Sequence, residues 1–561
     1  MRWLKVAATL SPLAVLACLA YCVLDGGKPG PQLVPAPAGR PRPQGDLYVS
    51  AVPEPRSINP YATLDVVGRR LVLRYTHDTL LELAPEDARL RPALAEVLGS
   101  SADGLEHELR LRDDLRFADG SPLTLEDVAF TLETVQNPGV AMSDLRDVLE
   151  NVRECVAIDA RRFRIRCKQA LFSGLAEIGC TWRVASKRHF LAEVARRARA
   201  AGEMPPAPQS PEFGRWLSKI DEPGPGSGPY QLRSGDWRRG RELTLVRNPH
   251  SWRYAAQPEC WNLDGHRLRF LGDNAPVLHE LRFARVDWYA QSDGKQLLAE
   301  HAELAREYRL CVYDKLSDGH LMLAWNCRRP ELAAPATRRA LTMLCDREFL
   351  AREILGGQAR VAAGWFRPGT SAYPTDLAPH PFAPEQARQL LDGVTPRLAR
   401  LEVLFDPMLP IARQMLESSV AHFARAGVAL VPQPLESKAL QERLAGGDFA
   451  GAFLVVQHAA WIDPGSWFLS SAVAEQGRNV MGYANAEVDR VLTAARFEPD
   501  AARRDAHWLR FQQLLHAHQP VSLLVHPRSS VLLHRRFEAA DPGLLGLVPE
   551  RWWVAPERRR Y

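Results

Sequence analysis

The stretch from Leu105 to Val135 constrains the fold more than any other segment of the chain. It reads LEHELRLRDDLRFADGSPLTLEDVAFTLETV. Leu105, His107, Leu109 and Leu111 alternate with Glu106, Glu108, Arg110 and Arg112, the period-2 pattern of a strand with one buried face. Asp119-Gly120 then supplies the positive-φ geometry of a turn. Thr124 with Asp127 three residues on forms a capping box, opening a helix that carries Val128, Leu132 and Val135 on one side. The local prediction is strand, turn, capped helix.

The same alternation recurs downstream. Leu401–Phe405 reads as a strand, Pro410–Ala426 as a helix and Gly427–Val431 as a second strand, together a βαβ unit. No repeat of solenoid length interrupts it, so the fold class is α/β. At 561 residues the chain can fill roughly three or four cores of about 150 residues, or one two-lobed protein. Its 71 basic and 66 acidic side chains leave a net charge of only +5, which gives no electrostatic case for nucleic acid. Much of the excess lies at the ends, and Glu557-Arg558-Arg559-Arg560-Tyr561 reads as a solvated tail.

Val6–Leu24 is an apolar run of bilayer-spanning length, with Arg2 and Lys5 before it and Asp25 after it. The positive flank places everything after Asp25 on the far side of the inner membrane. Retention as an anchor is the favoured reading, because no small-x-small cleavage site closes the run at Leu24. Signal cleavage near Ala36-Pro37-Ala38 and lipoprotein processing at Cys18 or Cys22 are the alternatives. Residues 26–45, rich in Pro and Gly, read as an extended spacer. Beyond it lie Cys155, Cys167, Cys180, Cys260, Cys311, Cys327 and Cys345, an odd set. Cys155 and Cys167 fall on two strands joined around Asp159-Ala160-Arg161; they are either a cross-hairpin disulfide or two buried thiols.

Enzyme signatures are missing: there is no Gly-x-Ser-x-Gly, His-Glu-x-x-His, Walker loop or Gly-x-Gly-x-x-Gly after a strand. Gly224-Pro225-Gly226-Ser227-Gly228 is glycine-rich, but Pro225 removes a donor that a phosphate cradle needs, and the segment reads as a domain-crossing turn. No Cys-x-x-Cys pair points to zinc, and His458 stands alone between Gln457 and Ala459. Neither a metal nor a cofactor is expected, and no catalysis.

Leu111, Arg112, Phe117, Asp119, Gly120, Pro122, Leu123, Thr124, Asp127, Val128 and Phe130 also resemble, in order, a signature of the oligopeptide- and dipeptide-binding proteins of ABC importers, solute-binding protein family 5. The resemblance extends to Glu54-Pro55-Arg56-Ser57-Ile58-Asn59-Pro60, Gly226-Ser227-Gly228-Pro229-Tyr230, Arg247-Asn248-Pro249, Trp325-Asn326, Arg339-Ala340-Leu341 with Asp346-Arg347, and Asp463-Pro464. It implies a two-lobed clamshell with an extra domain inserted in the first lobe. On that template residues 1–25 are signal or anchor and 26–45 linker. Lobe I comprises 46–90, 216–307 and 525–561 with the basic tail, the inserted domain 91–215, and lobe II 308–524. Hinge crossings are expected near Gly228 and Asn326.

The resemblance further implies a monomeric extracytoplasmic protein that closes around a small-molecule or peptide solute and presents it to a permease and its ATPase. A membrane-tethered sensor that keeps the fold without transport is the alternative. His458, Ala460, Trp461, Asp463 and Trp467 fall on the family's cleft segment, and Trp325 and Asn326 at its crossing into lobe II. An aromatic core cluster under the Pro-Gly turn is the competing reading of the tryptophans. One departure bears on specificity. Ala460 stands where peptide binders carry the aspartate that pairs with the ligand's ammonium, and Leu454 where oligopeptide binders carry an arginine. Burying an ammonium without its carboxylate costs several kcal/mol, so ordinary peptide recognition is not expected.

Overall fold

The computed structural model describes residues 46–62, 67–68, 73–140, 149–271, 274–290, 294–456, 463–473 and 478–560. The chain divides into two units. Unit 1 runs to Cys311 and resumes at Ser530; unit 2 is Val312–Ser529. The passages between them therefore fall at 311/312 and 529/530, away from the predicted crossings. Gly228 lies inside unit 1 and Asn326 inside unit 2, each tied down by hydrogen bonds within its own unit.

Unit 1 is organised around strand β1 (Leu47–Val52), whose near-continuous apolar run suits a strand covered on both faces. Five further elements of this unit are β2 (Ala95–Ser100), β3 (Glu106–Leu111), helix α1 (Leu125–Gln136) and the hairpin strands β4 (Val152–Ala157) and β5 (Arg162–Cys167). After them come β6 (Glu242–Arg247) and β7 (Gly265–Phe270). The large sheet runs Tyr308–Tyr313, Ser529–His534, Trp288–Tyr289, β1, β7, β6, Tyr230–Gln231, with β1 parallel to β7 and β6 antiparallel to it. A second, antiparallel sheet, β2-β3-β5-β4, packs with α1 on its own core of Leu109, Leu111, Phe117, Val128, Leu132, Phe163 and Ile165.

The Leu105–Val135 prediction holds in detail. In β3, His107, Leu109 and Leu111 are buried and their neighbours are not. Gly120 takes φ +80°. The Asp127 carboxylate accepts from Thr124 N at 2.9 Å, Thr124 Oγ1 at 3.1 Å and Lys187 N at 2.9 Å, fixing the start of α1. The hairpin does form, but its register sets Cys155 opposite Ile165 and Cys167 opposite Val152. An irregularity between Val152 and Glu154 shifts the pairing, and both cysteines are thiols.

Gly226-Ser227-Gly228 turns tightly against Thr76-His77-Asp78. A Cβ on Gly226 would lie 1.9 Å from the Thr76 carbonyl oxygen, and Gly228 N donates to that oxygen at 2.9 Å. Nearby, Arg253 bridges the buried Asp78 (Nε to Oδ1, 2.8 Å) and Glu82 (Nη2 to Oε2, 2.7 Å). A further clasp gathers three distant segments: the Arg536 guanidinium is held by Asp46 at 2.8 Å and Asp287 at 2.7 Å. It also donates to Leu47 O at 2.6 Å. The tail is exposed yet engaged, with Arg558 on Glu538 and Arg560 on His534 and the Ala284 carbonyl.

Unit 2 contains β8 (His320–Trp325), α2 (Pro335–Met343), α3 (Pro384–Asp392), β9 (Arg400–Phe405), α4 (Pro410–Arg425) and β10 (Ala429–Pro434). It continues with β11 (Gly451–Val456), the short helix α5 (Gly465–Phe468), α6 (Ala486–Phe497), α7 (Ala501–His518) and β12 (Val521–Pro527). The sheet order is Ala359–Val361, β12, β8, β11, β9, β10. β9 and β10 pair in parallel across α4, the predicted βαβ unit. Among the described residues no helix is long and apolar enough to cross a membrane, and Val6–Leu24 lies outside them.

Candidate functional site

The cleft segment singled out in the sequence leaves the sheet of unit 2 at Val456, the last residue of β11. His458, Ala460 and Trp461 lie outside the described residues. The chain is described again from Asp463, and there the local chemistry is well defined. Asp463 Oδ1 accepts from Gly465 N at 2.7 Å, and Oδ2 accepts from Arg496 Nε of α6 at 2.7 Å. The carboxylate thus braces the start of α5, with one oxygen on the backbone and the other on a neighbouring helix. Ser470 closes the far side, donating through N (2.8 Å) and Oγ (2.6 Å) to Asp489.

Between these braces stand Trp467, half-buried, and Phe468, fully buried. The Trp467 ring lies 6.0 Å from that of Trp365, tilted by 56°. Phe468 meets Trp365 edge-on at 4.8 Å and reaches Phe511 of α7 at 5.3 Å. On Trp365 also packs His320, the first residue of β8, at 4.3 Å. Trp467 is the partly exposed member of a buried aromatic stack, so its indole has a rigid backing and a face to offer. Trp365 and His320 escaped the sequence reading. The aromatic pair in Gly364-Trp365-Phe366-Arg367-Pro368 was the available signal.

Trp325 and Asn326 are placed differently. Trp325 has no exposed surface, and its Nε1 donates to Ser522 Oγ at 2.9 Å within the core of unit 2. Asn326 Nδ2 donates to Gly447 O (3.0 Å) and Phe449 O (2.9 Å), and its backbone N to Ala450 O (3.0 Å). Trp325 pairs with Gly451 and His320 with Val456. The two residues therefore sit at the opposite end of β11 from the loop, roughly 17 Å away at the rise of a strand. Asp463 and Trp467 are brought together; Trp325 and Asn326 instead fix the entry of the strand that carries the loop. Leu454 is half-buried on β11 and Val455, on the other face, is 45% exposed.

A family profile, bacterial extracellular solute-binding proteins, family 5 Middle, matches residues 89–479. The chain belongs to this family. It is a solute-binding protein, and its fold is the α/β fold of the family's solved structures. Over 572 aligned residues it is 23% identical to the oligopeptide-binding protein AppA of Bacillus subtilis (strain 168), covering 97% of this chain and 98% of AppA. HbpA2 from Haemophilus parasuis superposes with a TM-score of 0.75 at 17% identity, over 91% of this chain and 99% of that one. NikA from Brucella suis in complex with Fe(III)-EDTA gives 0.73 at 17% identity, over 90% of this chain and 100% of that one.

Proposed function

We propose that this family-5 protein delivers a peptide-like solute without a free amino terminus to an ABC permease and its ATPase, and that Val6–Leu24 tethers it outside the cytoplasmic membrane. The departure at Ala460 and Leu454 carries the reading. Relatives named for oligopeptides and for di- and tripeptides support the peptide-like class. A methyl group at 460 and an isobutyl at 454 remove both charges that would meet a peptide's charged ends. Each lost charge-assisted hydrogen bond is worth about 1.5 to 3 kcal/mol. Trp461 and Trp467 would supply apolar and stacking contact, Asp463 holds the loop rather than the solute, and binding involves no covalent chemistry.

Calorimetry on matched free and N-acetylated di- to pentapeptides tests this. The acetylated forms should bind at least about tenfold more tightly, and Ala460→Asp should reverse the order. Tight binding of free peptides by the unaltered protein would refute it. Fractionation of cells with N-terminal sequencing tests the tether: a soluble form beginning near residue 39 would refute that part.

A further inference from the structure

A groove of about 510 Å³ lies on unit 2, where α2 meets α3, lined by Arg339, Met343, His380, Pro381, Gln386, Gln389 and Leu390. Its volume falls in the range of small-molecule sites, and it is open to solvent rather than enclosed. The composition is directional. Met343 and Leu390 give an apolar floor, Gln386 and Gln389, one turn apart on α3, present amides at the rim, and the only charge in the lining is Arg339. Asp392, on the same helix as the glutamines, is engaged by Arg388. Among the described residues Arg339 has no ion-pair or hydrogen-bond partner.

The wall beside it is stiff. The imidazoles of His380 and His516 stack at 3.9 Å with 18° between planes, and each donates from Nε2 to a backbone carbonyl at 3.0 Å, His516 O and Ala378 O respectively. Arg347 lies behind them and spends its guanidinium on the carbonyls of His380 and Leu523, with no carboxylate. Burial, with Arg347 and Arg339 nearby, pushes His380 down to about 4, so the pair is neutral at pH 7. The groove thus holds a positive charge at one end and an apolar floor, with no acidic residue among those that line it.

We infer that this groove is a second binding site, for a small amphipathic carboxylate whose anionic head pairs with Arg339 and whose tail lies on Met343 and Leu390. It is independent of the cleft loop and of the solute proposed above. The floor methionine makes it observable: the chain has eight methionines, so methyl-13C methionine labelling gives a sparse spectrum in which Met343→Leu assigns the reporter. Hexanoate is the probe and hexan-1-ol its neutral counterpart, with acetyl-Leu-Glu-Leu-amide as the peptide-borne carboxylate. Hexanoate should shift the Met343 signal saturably, hexan-1-ol should not, and Arg339→Gln should weaken the effect about tenfold, the worth of one charge-assisted bond, with Arg339→Lys recovering part of it. An unmoved Met343 signal, equal shifts from hexan-1-ol, or an unchanged titration in Arg339→Gln would overturn the inference. A shift from the peptide alone would also overturn it, assigning the groove to a protein segment instead.

Discussion

Replacing Arg536 with methionine removes the centre of the clasp in unit 1 and keeps most of its length. Arg536 is 2% exposed, and Asp46 and Asp287 are fully buried. The substitution strands two carboxylates that lose four charge-assisted contacts of 2.7 to 2.9 Å, and leaves the Leu47 carbonyl without its donor. Removing one partner of a buried ion cluster costs about 3 to 5 kcal/mol, because the remaining charge is buried unpaired. Against a total of about 5 to 15 kcal/mol, that is a large share. At about 2.1 cal/mol/K of unfolding entropy per residue over a unit this large, the midpoint in scanning calorimetry should fall by at least about 4 °C. The triple variant Arg536→Met, Asp46→Asn, Asp287→Asn discriminates. Neutral amides can still accept from Leu47 N and Val49 N, so most of the loss should return. A single variant within about 1 kcal/mol of the parent, or a triple variant no better than the single, would refute the reasoning.

Glu82 gives a pH signature. Burial would raise its carboxyl, but Arg253 and Arg91 overcome this and hold it down to about 2 from an ordinary 4.5. A depressed folded-state pKa stabilises above the unfolded value and is lost below it, so urea midpoints should fall between about pH 4.5 and 2, and Glu82→Gln should flatten that limb. His77 acts earlier: burial lowers it to about 3, so the unfolded chain binds its proton first and stability should begin to decline below about pH 6.5. Circular dichroism titration checks both windows. Asp127→Ala leaves two donors at the start of α1 and the Lys187 N–H of a neighbouring helix unmatched, and should cost at least about 2 kcal/mol by urea unfolding. Gly226→Ala forces a carbon against the Thr76 carbonyl and should cost about 3 kcal/mol or prevent soluble expression.

What the sequence disclosed was local. The β3 alternation, the Gly120 turn and the Asp127 cap lie within about thirty residues, and each is a property of backbone geometry that neighbours decide. The βαβ unit at 400–434 was legible for the same reason. The cysteine hairpin shows the limit: the strands pair with Cys155 opposite Ile165 and Cys167 opposite Val152, a register that no pattern in the residues announces. At the candidate site, Asp463 and Trp467 could be proposed together because they share one short segment. Their supports, Trp365 and Arg496, come from other parts of unit 2 and carry no spacing that links them. Trp325 and Asn326 were marked as a crossing, yet packing spends both on the interior of unit 2.

The Asp46–Arg536 contact spans 490 positions of sequence, and unit 2 lies wholly within that interval. Synthesis therefore finishes the second unit before the first can close. At roughly 5 to 20 residues per second, Asp46 waits about 25 to 100 s for its partner. During that time Trp288–Tyr289, which pairs with β1 on one side, lacks Ser529–His534 on the other, and a strand edge without its partner invites pairing with other chains. A truncation after Ser529 and before Arg536 would leave unit 2 whole and unit 1 permanently unlatched. The segment that carries Arg536 is thus a closing stitch for the strand that follows Asp46.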